Sequence, residues 1–251
     1  METALEPNEH LEDLNGRLRL IVSPAHTFGT DALLLAAFSL PAPNAVCCDL
    51  GTGCGVIPFY WLSRGVRAVW GVELQPDACE QARRSIRLNG LENRFTLKEG
   101  DLRDMKDALP FGGFDTVSMN PPFTKTGHGI QSRAGSDAAA RHETTANLPE
   151  ICRSGAGLLK PGGRFFLCMR PQRLAETFSA LEAVGLAPKR LQFVSHRSGK
   201  APWLFLLESR KGGRPGLKLE PEFRMVNDAG APTPEARAVY SDYEKERRDE
   251  R

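Results

Sequence analysis

A mostly apolar run, Val46-Cys47-Cys48-Asp49-Leu50, is broken by Gly51-Thr52-Gly53-Cys54-Gly55 and resumes over residues 56–64. Few backbones satisfy that order. The first run is short enough for a buried strand, the glycines permit positive φ in a tight turn, and the second run reads as a buried helix. The alternation then repeats, with strands over 66–74, 94–99, 114–119 and 164–169 and helices over 76–90, 138–159 and 171–184. Strand and helix in regular succession specify a parallel sheet with helices on its faces. Pro76 suits a first helical turn and Asn89-Gly90 a C-cap, and Pro161-Gly162-Gly163 is expected to stop the helix over 138–159. Strands at 188–195 and 203–209 are joined by a link too short for a crossover helix, so they should pair as an antiparallel hairpin.

The flanks read differently. Residues 1–15 are polar and expected to fray, followed by a strand over 17–22, a loop with Thr30 as N-cap and a buried helix over 32–38. Lys211-Gly212-Gly213-Arg214-Pro215-Gly216 breaks the composition. Residues 217–251 read as a loosely packed tail whose charged run over 242–251 forms a short exposed helix. Three parts result: a strand–helix cap segment over 1–43, a main α/β domain over 44–210 and a charged tail over 211–251.

Location and charge narrow the function less. Glu2, Glu6, Glu9, Glu12 and Asp13 leave no basic or apolar stretch for a secretory leader at the start. No apolar run reaches bilayer length, so a cytoplasmic protein with no membrane partner is expected. The six cysteines show no C-x-x-C spacing and read as small buried hydrophobes rather than disulfides or a metal site. A net charge of +2 permits a polyanionic partner without requiring one.

The glycine turn sits where open parallel sheets bind ligands. Its G-x-G-x-G spacing has Val56 where a pyrophosphate-binding loop needs its third glycine, and no Gly-Lys-Ser/Thr follows. A nucleotide-like ligand other than a dinucleotide or a triphosphate is implied. Glu73, followed by Leu74 at the end of the second strand, can accept from two ribose hydroxyls. Asp101, followed by Leu102 at the end of the third, can accept from an adenine amine. Asn120-Pro121-Pro122-Phe123 closes the fourth strand. Each proline fixes its own φ, lacks an N–H and presses its predecessor into an extended form, so the corner holds an amide, a carbonyl and an aromatic ring in one relation.

Together these residues resemble a class I S-adenosylmethionine-dependent methyltransferase over most of the chain, and Asn120 to Phe123 resembles the motif of the subset that methylates amines conjugated to a π-system. With Phe28-Gly29-Thr30-Asp31-Ala32-Leu33-Leu34-Leu35, Arg141-His142-Glu143 and the tail, the chain is most similar to the bacterial tRNA1(Val) adenine-37 N6-methyltransferase family. The resemblance implies a Rossmann-like seven-stranded sheet of order 3-2-1-4-5-7-6, the seventh strand antiparallel. It implies S-adenosyl-L-methionine as cofactor, its methionine moiety on Asp49, Gly51, Thr52, Gly53 and Gly55, its ribose on Glu73 beside Leu74 and its adenine on Asp101 beside Leu102. Asn120, Pro121, Pro122 and Phe123 would hold the target base, and Phe28 and Asp31 are secondary cofactor candidates.

The partner implied is RNA, a tRNA anticodon loop first, with no obligate protein partner. A phosphate path would draw on Lys125, Arg133, Arg141, Arg197, Lys200, Lys211 and Arg214, while His128 and His142 read as surface residues. Methylation of rRNA or of a protein glutamine amide is an alternative, the latter disfavoured by Phe123 and by an N-terminal segment too short for a dedicated domain. A cofactor- and RNA-binding factor without catalysis is a further one.

Overall fold

The computed structural model describes residues 5–14, 16–122 and 146–240. The central strand is β3 (Cys47–Leu50), buried at every position and flanked in parallel by β4 (Val69–Glu73) and β6 (Phe114–Met119). Beyond β4 lies β5 (Phe95–Glu99), and beyond β6 lies β7 (Leu159–Met169). The antiparallel β9 (Leu204–Lys211) is inserted between β7 and β8 (Leu186–Ser195). Counted from the first strand of the main domain, the order is the 3-2-1-4-5-7-6 implied above, with the expected hairpin. Leu50 lies opposite both Val72 and Met119, so β3, β4 and β6 end level, and the residues that follow them share one edge.

Helices cover both faces. On one face, α1 (Thr30–Phe38), α2 (Val56–Ser63) and α3 (Pro76–Leu88) pack over Leu34, Leu35, Phe59 and Trp61. Every residue of α2 is buried, as a helix apolar on every side but for Ser63 must be. Trp61 satisfies its indole N–H on the Ala36 carbonyl at 3.1 Å, which ties α2 to α1. The other face is covered by α4 (Leu148–Leu158) and α5 (Leu174–Glu182), over Ile151, Phe165 and Phe205. All six cysteines are free and buried. Among the described residues no helix is long and apolar enough to cross a membrane.

Several expectations are corrected. The N-terminal segment holds a strand, β1 (His10–Leu14), paired antiparallel with β2 (Leu18–Val22). Tertiary contacts supply what its polar sequence lacks: Glu9 pairs with Arg84 of α3, Asn89 brackets Arg19 at 2.9 and 2.7 Å, and the Ile21 N–H donates to Ser85 at 2.9 Å. Thr30 is the first helical residue of α1 and Gly29 the N-cap.

The helix expected from residue 138 begins at Leu148, where Asn147 and Glu150 close a capping box at 3.0 and 2.8 Å; residues 138–145 lie outside the described residues. Pro161-Gly162-Gly163 belong to β7 itself, absorbed by a register shift against β6 between Phe114 and Thr116. A 3-10 turn over Pro171–Arg173 precedes α5.

The tail is packed through Tyr240. β10 (Lys218–Leu219) and β11 (Phe223–Arg224) add parallel to the outer edge of β8 and bring the sheet to nine strands. Helix α6 (Pro234–Tyr240) buries Ala236 and Val239. The charged run over 242–251 lies outside the described residues.

Candidate active site

The turn after β3 is pinned to the end of β4. Thr52 N–H donates to the Val72 carbonyl at 2.9 Å and Gly53 N–H to Glu73 Oε2 at 2.8 Å. Gly55, at φ 86°, is the N-cap of α2, where a Cβ would stand 3.2 Å from the rings of Phe59 and Phe95. The turn is therefore left-handed by necessity and lies close against the sheet. Glu73 is 5% exposed, and its second oxygen accepts from Gln75 N–H at 2.9 Å. Each oxygen keeps one lone pair, enough for two further hydroxyl donors.

Asp49 is 1% exposed and accepts from the Ser118 hydroxyl at 2.6 Å. Burial pushes its pKa up to about 7; the hydroxyls of Ser118 and Thr52 partly oppose that rise and the charge of Glu73 adds to it. Thr52 Oγ1 is buried and makes no hydrogen bond of ordinary geometry. Two buried carboxylates side by side favour a cationic ligand. Asp101 is held differently: Arg103 donates to its Oδ1 from the backbone N–H and from Nε, both at 2.9 Å, and the guanidinium keeps the carboxyl below its usual range.

Asn120 follows β6, with Pro121 buried and Pro122 exposed behind it. Its Nδ2 donates to Asp31 Oδ2 at 3.3 Å, and its Oδ1 accepts from the Cys168 thiol at 3.0 Å. These elements wall a cavity of about 550 Å³. Of the residues read from the sequence, Phe28, Asp31, Asp49, Gly51, Thr52, Gly53, Glu73, Leu74, Asp101, Leu102, Asn120, Pro121 and Pro122 line it, whereas Gly55 stands behind the turn. Thr27, Ile57, Gln75, Met119 and Ala146 are among the other residues of the wall. S-Adenosylmethionine, a cation joined to an adenosine, fits this donor set. The carboxylates of Asp49 and Glu73 suit its positive charge and its ribose hydroxyls, and Asp101 lies further along the same wall.

Phe123, Lys125, His128, Arg133, Arg141 and His142 lie outside the described residues. Arg197 and Lys200 are exposed in the turn from β8 to β9, on the same sheet edge as Asn120. Lys211 and Arg214 do not belong to that edge. Arg210 lies level with Arg164, and Arg164 with Thr116, so Lys211 stands at the opposite end of β6, roughly 16 Å of strand from Asn120. Three residues that shape the site carry no sequence signal of their own: Ser118 under Asp49, Arg103 on Asp101 and Cys168 on Asn120.

The family profile described as methyltransferase small domain matches residues 27–184. A tRNA1(Val) (adenine(37)-N6)-methyltransferase of Porphyromonas gingivalis is 32% identical over 189 residues, covering 72% of this chain and 73% of that protein. One from Parabacteroides distasonis is 27% identical over 183 residues, covering 72% and 75%. Among solved structures, a predicted O-methyltransferase from Agrobacterium tumefaciens matches with a TM-score of 0.70 at 25% identity, covering 85% of this chain and 97% of that one. A geranyl diphosphate C-methyltransferase from Streptomyces coelicolor, solved with S-adenosyl-L-homocysteine, matches in fold alone, with a TM-score of 0.54 at 13% identity over 71% of this chain and 76% of that one.

Proposed function

Since the chain belongs to the methyltransferase small domain family and is an S-adenosylmethionine-dependent methyltransferase, we propose that it methylates the N6 amine of an adenine in tRNA, with Asn120 and Pro121 as the groups that receive the amine. The observation that carries the reading is the Asn-Pro-Pro corner standing on the wall of a cavity that also presents Asp49, Glu73 and Asp101. Relatives that act on adenine 37 of tRNA1(Val) support the choice of substrate.

When bound, S-adenosylmethionine supplies an electrophilic methyl group on a sulfonium. Asp49 and the turn over 51–55 would hold its methionine part, Glu73 its ribose and Asp101 its adenine. The N6 lone pair of adenine is delocalised into the ring, so the protein's task is orientation. Asn120 Oδ1 and the Pro121 carbonyl accept the two amine hydrogens and turn the lone pair toward the cavity. The prolines keep that pair of acceptors rigid. By its place in the motif, Phe123 would stack on the base, a contact worth about 1–3 kcal/mol in single-strand binders. A base in an anticodon loop is already unpaired, so presenting it costs little. Arg197 and Lys200 offer phosphate contacts on the same edge.

Labelled methyl donor incubated with total RNA and total protein from a strain lacking the gene tests the assignment. Label in N6-methyladenosine of tRNA is the expected result, and label confined to protein refutes it. The Asn120→Ala variant should lose about 10² in turnover while binding the methyl donor normally; undiminished turnover would remove Asn120 from the chemistry.

A further inference from the structure

We propose that Asp31 and Cys168 are positioning residues that decide which end of the Asn120 carboxamide faces the target amine. The inference rests on the reading of Asn120 as an amine acceptor. The two ends of a carboxamide have nearly the same shape and opposite hydrogen-bonding character. A flipped Asn120 would present N–H donors to an amine that needs an acceptor, and backbone rigidity from Pro121 and Pro122 does nothing to prevent that flip.

The contacts on the side chain do prevent it. Asp31 Oδ2 lies 3.3 Å from Asn120 Nδ2, and a carboxylate oxygen accepts, so it faces the NH₂ end. Cys168 donates its S–H to Asn120 Oδ1 at 3.0 Å. The thiol is fully buried, and burial pushes its pKa well above the ordinary value, so it stays protonated and remains a donor. Oδ1 keeps a second lone pair for an amine hydrogen. The backbone also makes room for the carboxylate: a Cβ at Gly29 would stand 2.6 Å from Asp31 Oδ1.

The test is steady-state kinetics with calorimetric titration of S-adenosylmethionine, on Asp31→Asn, Cys168→Val, Cys168→Ser and Gly29→Ala, each alone and each combined with Asn120→Ala. Cys168→Val should lower kcat about tenfold with little change in KM or in donor affinity, and Cys168→Ser, which restores a donor, should bring kcat back. Asp31→Asn, whose new amide can face Asn120 with either end, should lower kcat by about tenfold or more, and Gly29→Ala by a smaller factor through displacement of the carboxylate.

In the Asn120→Ala background none of these changes should reduce turnover further, because the group they orient is gone. Losses that multiply in that background, or a Cys168→Val loss that Cys168→Ser does not recover, overturn the proposal. Should Cys168→Val unfold, Asp31→Asn and Gly29→Ala carry the same comparison at a half-exposed helix start. If Asn120→Ala is fully active, the reading of Asn120 falls and the clamp with it. If Asn120→Ala is impaired while the Asp31 and Cys168 variants match the parent, the clamp alone falls.

Discussion

Asp49 ties the stability of the ligand-free protein to pH in a direction opposite to that of most carboxylates. Its pKa is 3.8 in the unfolded chain and about 7 in the folded one, chiefly because burial disfavours the charged form. Between those values the folded state binds more protons than the unfolded state, so stability falls as pH rises. The contribution is complete below the unfolded value and lost as pH climbs through about 7. A shift of about three units corresponds to roughly 4 kcal/mol in all, of which about 2 kcal/mol falls between pH 5.5 and pH 8. Urea unfolding of the parent and of Asp49→Asn across that interval isolates the effect, since other titrating groups cancel in the difference. The parent's stability relative to the variant should drop by about 2 kcal/mol. Binding should run the other way: a cationic methyl donor prefers ionised Asp49, so its affinity should rise by up to about tenfold per unit below pH 7 and level off above. Parallel stability profiles for parent and variant, or a donor affinity flat in pH, would refute the account of Asp49 as a strained acid waiting for a cation.

Two further outcomes bear on the same wall. Glu73→Gln sets an NH₂ group against the N–H of Gly53 or of Gln75, leaving a part-buried donor without an acceptor; thermal melting should show a loss of about 1 kcal/mol, with weakened donor binding by calorimetry. Gly71→Ala would place a Cβ 2.9 Å from Thr52 Cγ2 and 3.0 Å from the Phe95 ring. Overpacking there should cost about 1–3 kcal/mol in urea unfolding and lower donor affinity by shifting Thr52.

Much of the architecture was legible because burial writes itself into composition. Residues 114–119 and 76–88 carry the apolar pattern and punctuation of a strand and a helix, and the structure places them there. The hairpin of β8 and β9 followed from the length of a loop. What escaped were elements held by distant partners. β1 has a single buried residue, Leu14, and survives through β2 and the Glu9–Arg84 pair. β10 and β11 are two residues each, too short for any periodicity, and exist because β8 offers an unpaired edge. The start of α4 was available in principle, since Asn147 and Glu150 have capping-box spacing with Pro149 between them.

The site divides along the same line, and sheet register explains why. Gly51, Glu73, Asp101 and Asn120 each end or follow a strand, so a correct list of strands already places them on one edge. Their supporting partners are set by register instead. Ser118 holds Asp49 because those two residues lie opposite each other between β6 and β3. Met119 lies opposite Leu167, so the next step up brings Asn120 level with Cys168. A slip of one residue between β6 and β7 would turn the thiol to the other face of the sheet and leave Oδ1 without its donor. The bulge at Phe114 and Thr116, which takes up the extra residues around Pro161-Gly162-Gly163, lies upstream of that pair and fixes its alignment. A Pro-Gly-Gly run that reads as a helix stop thus acts at a distance on the Asn-Pro-Pro corner, by deciding which side chain of β7 meets Asn120.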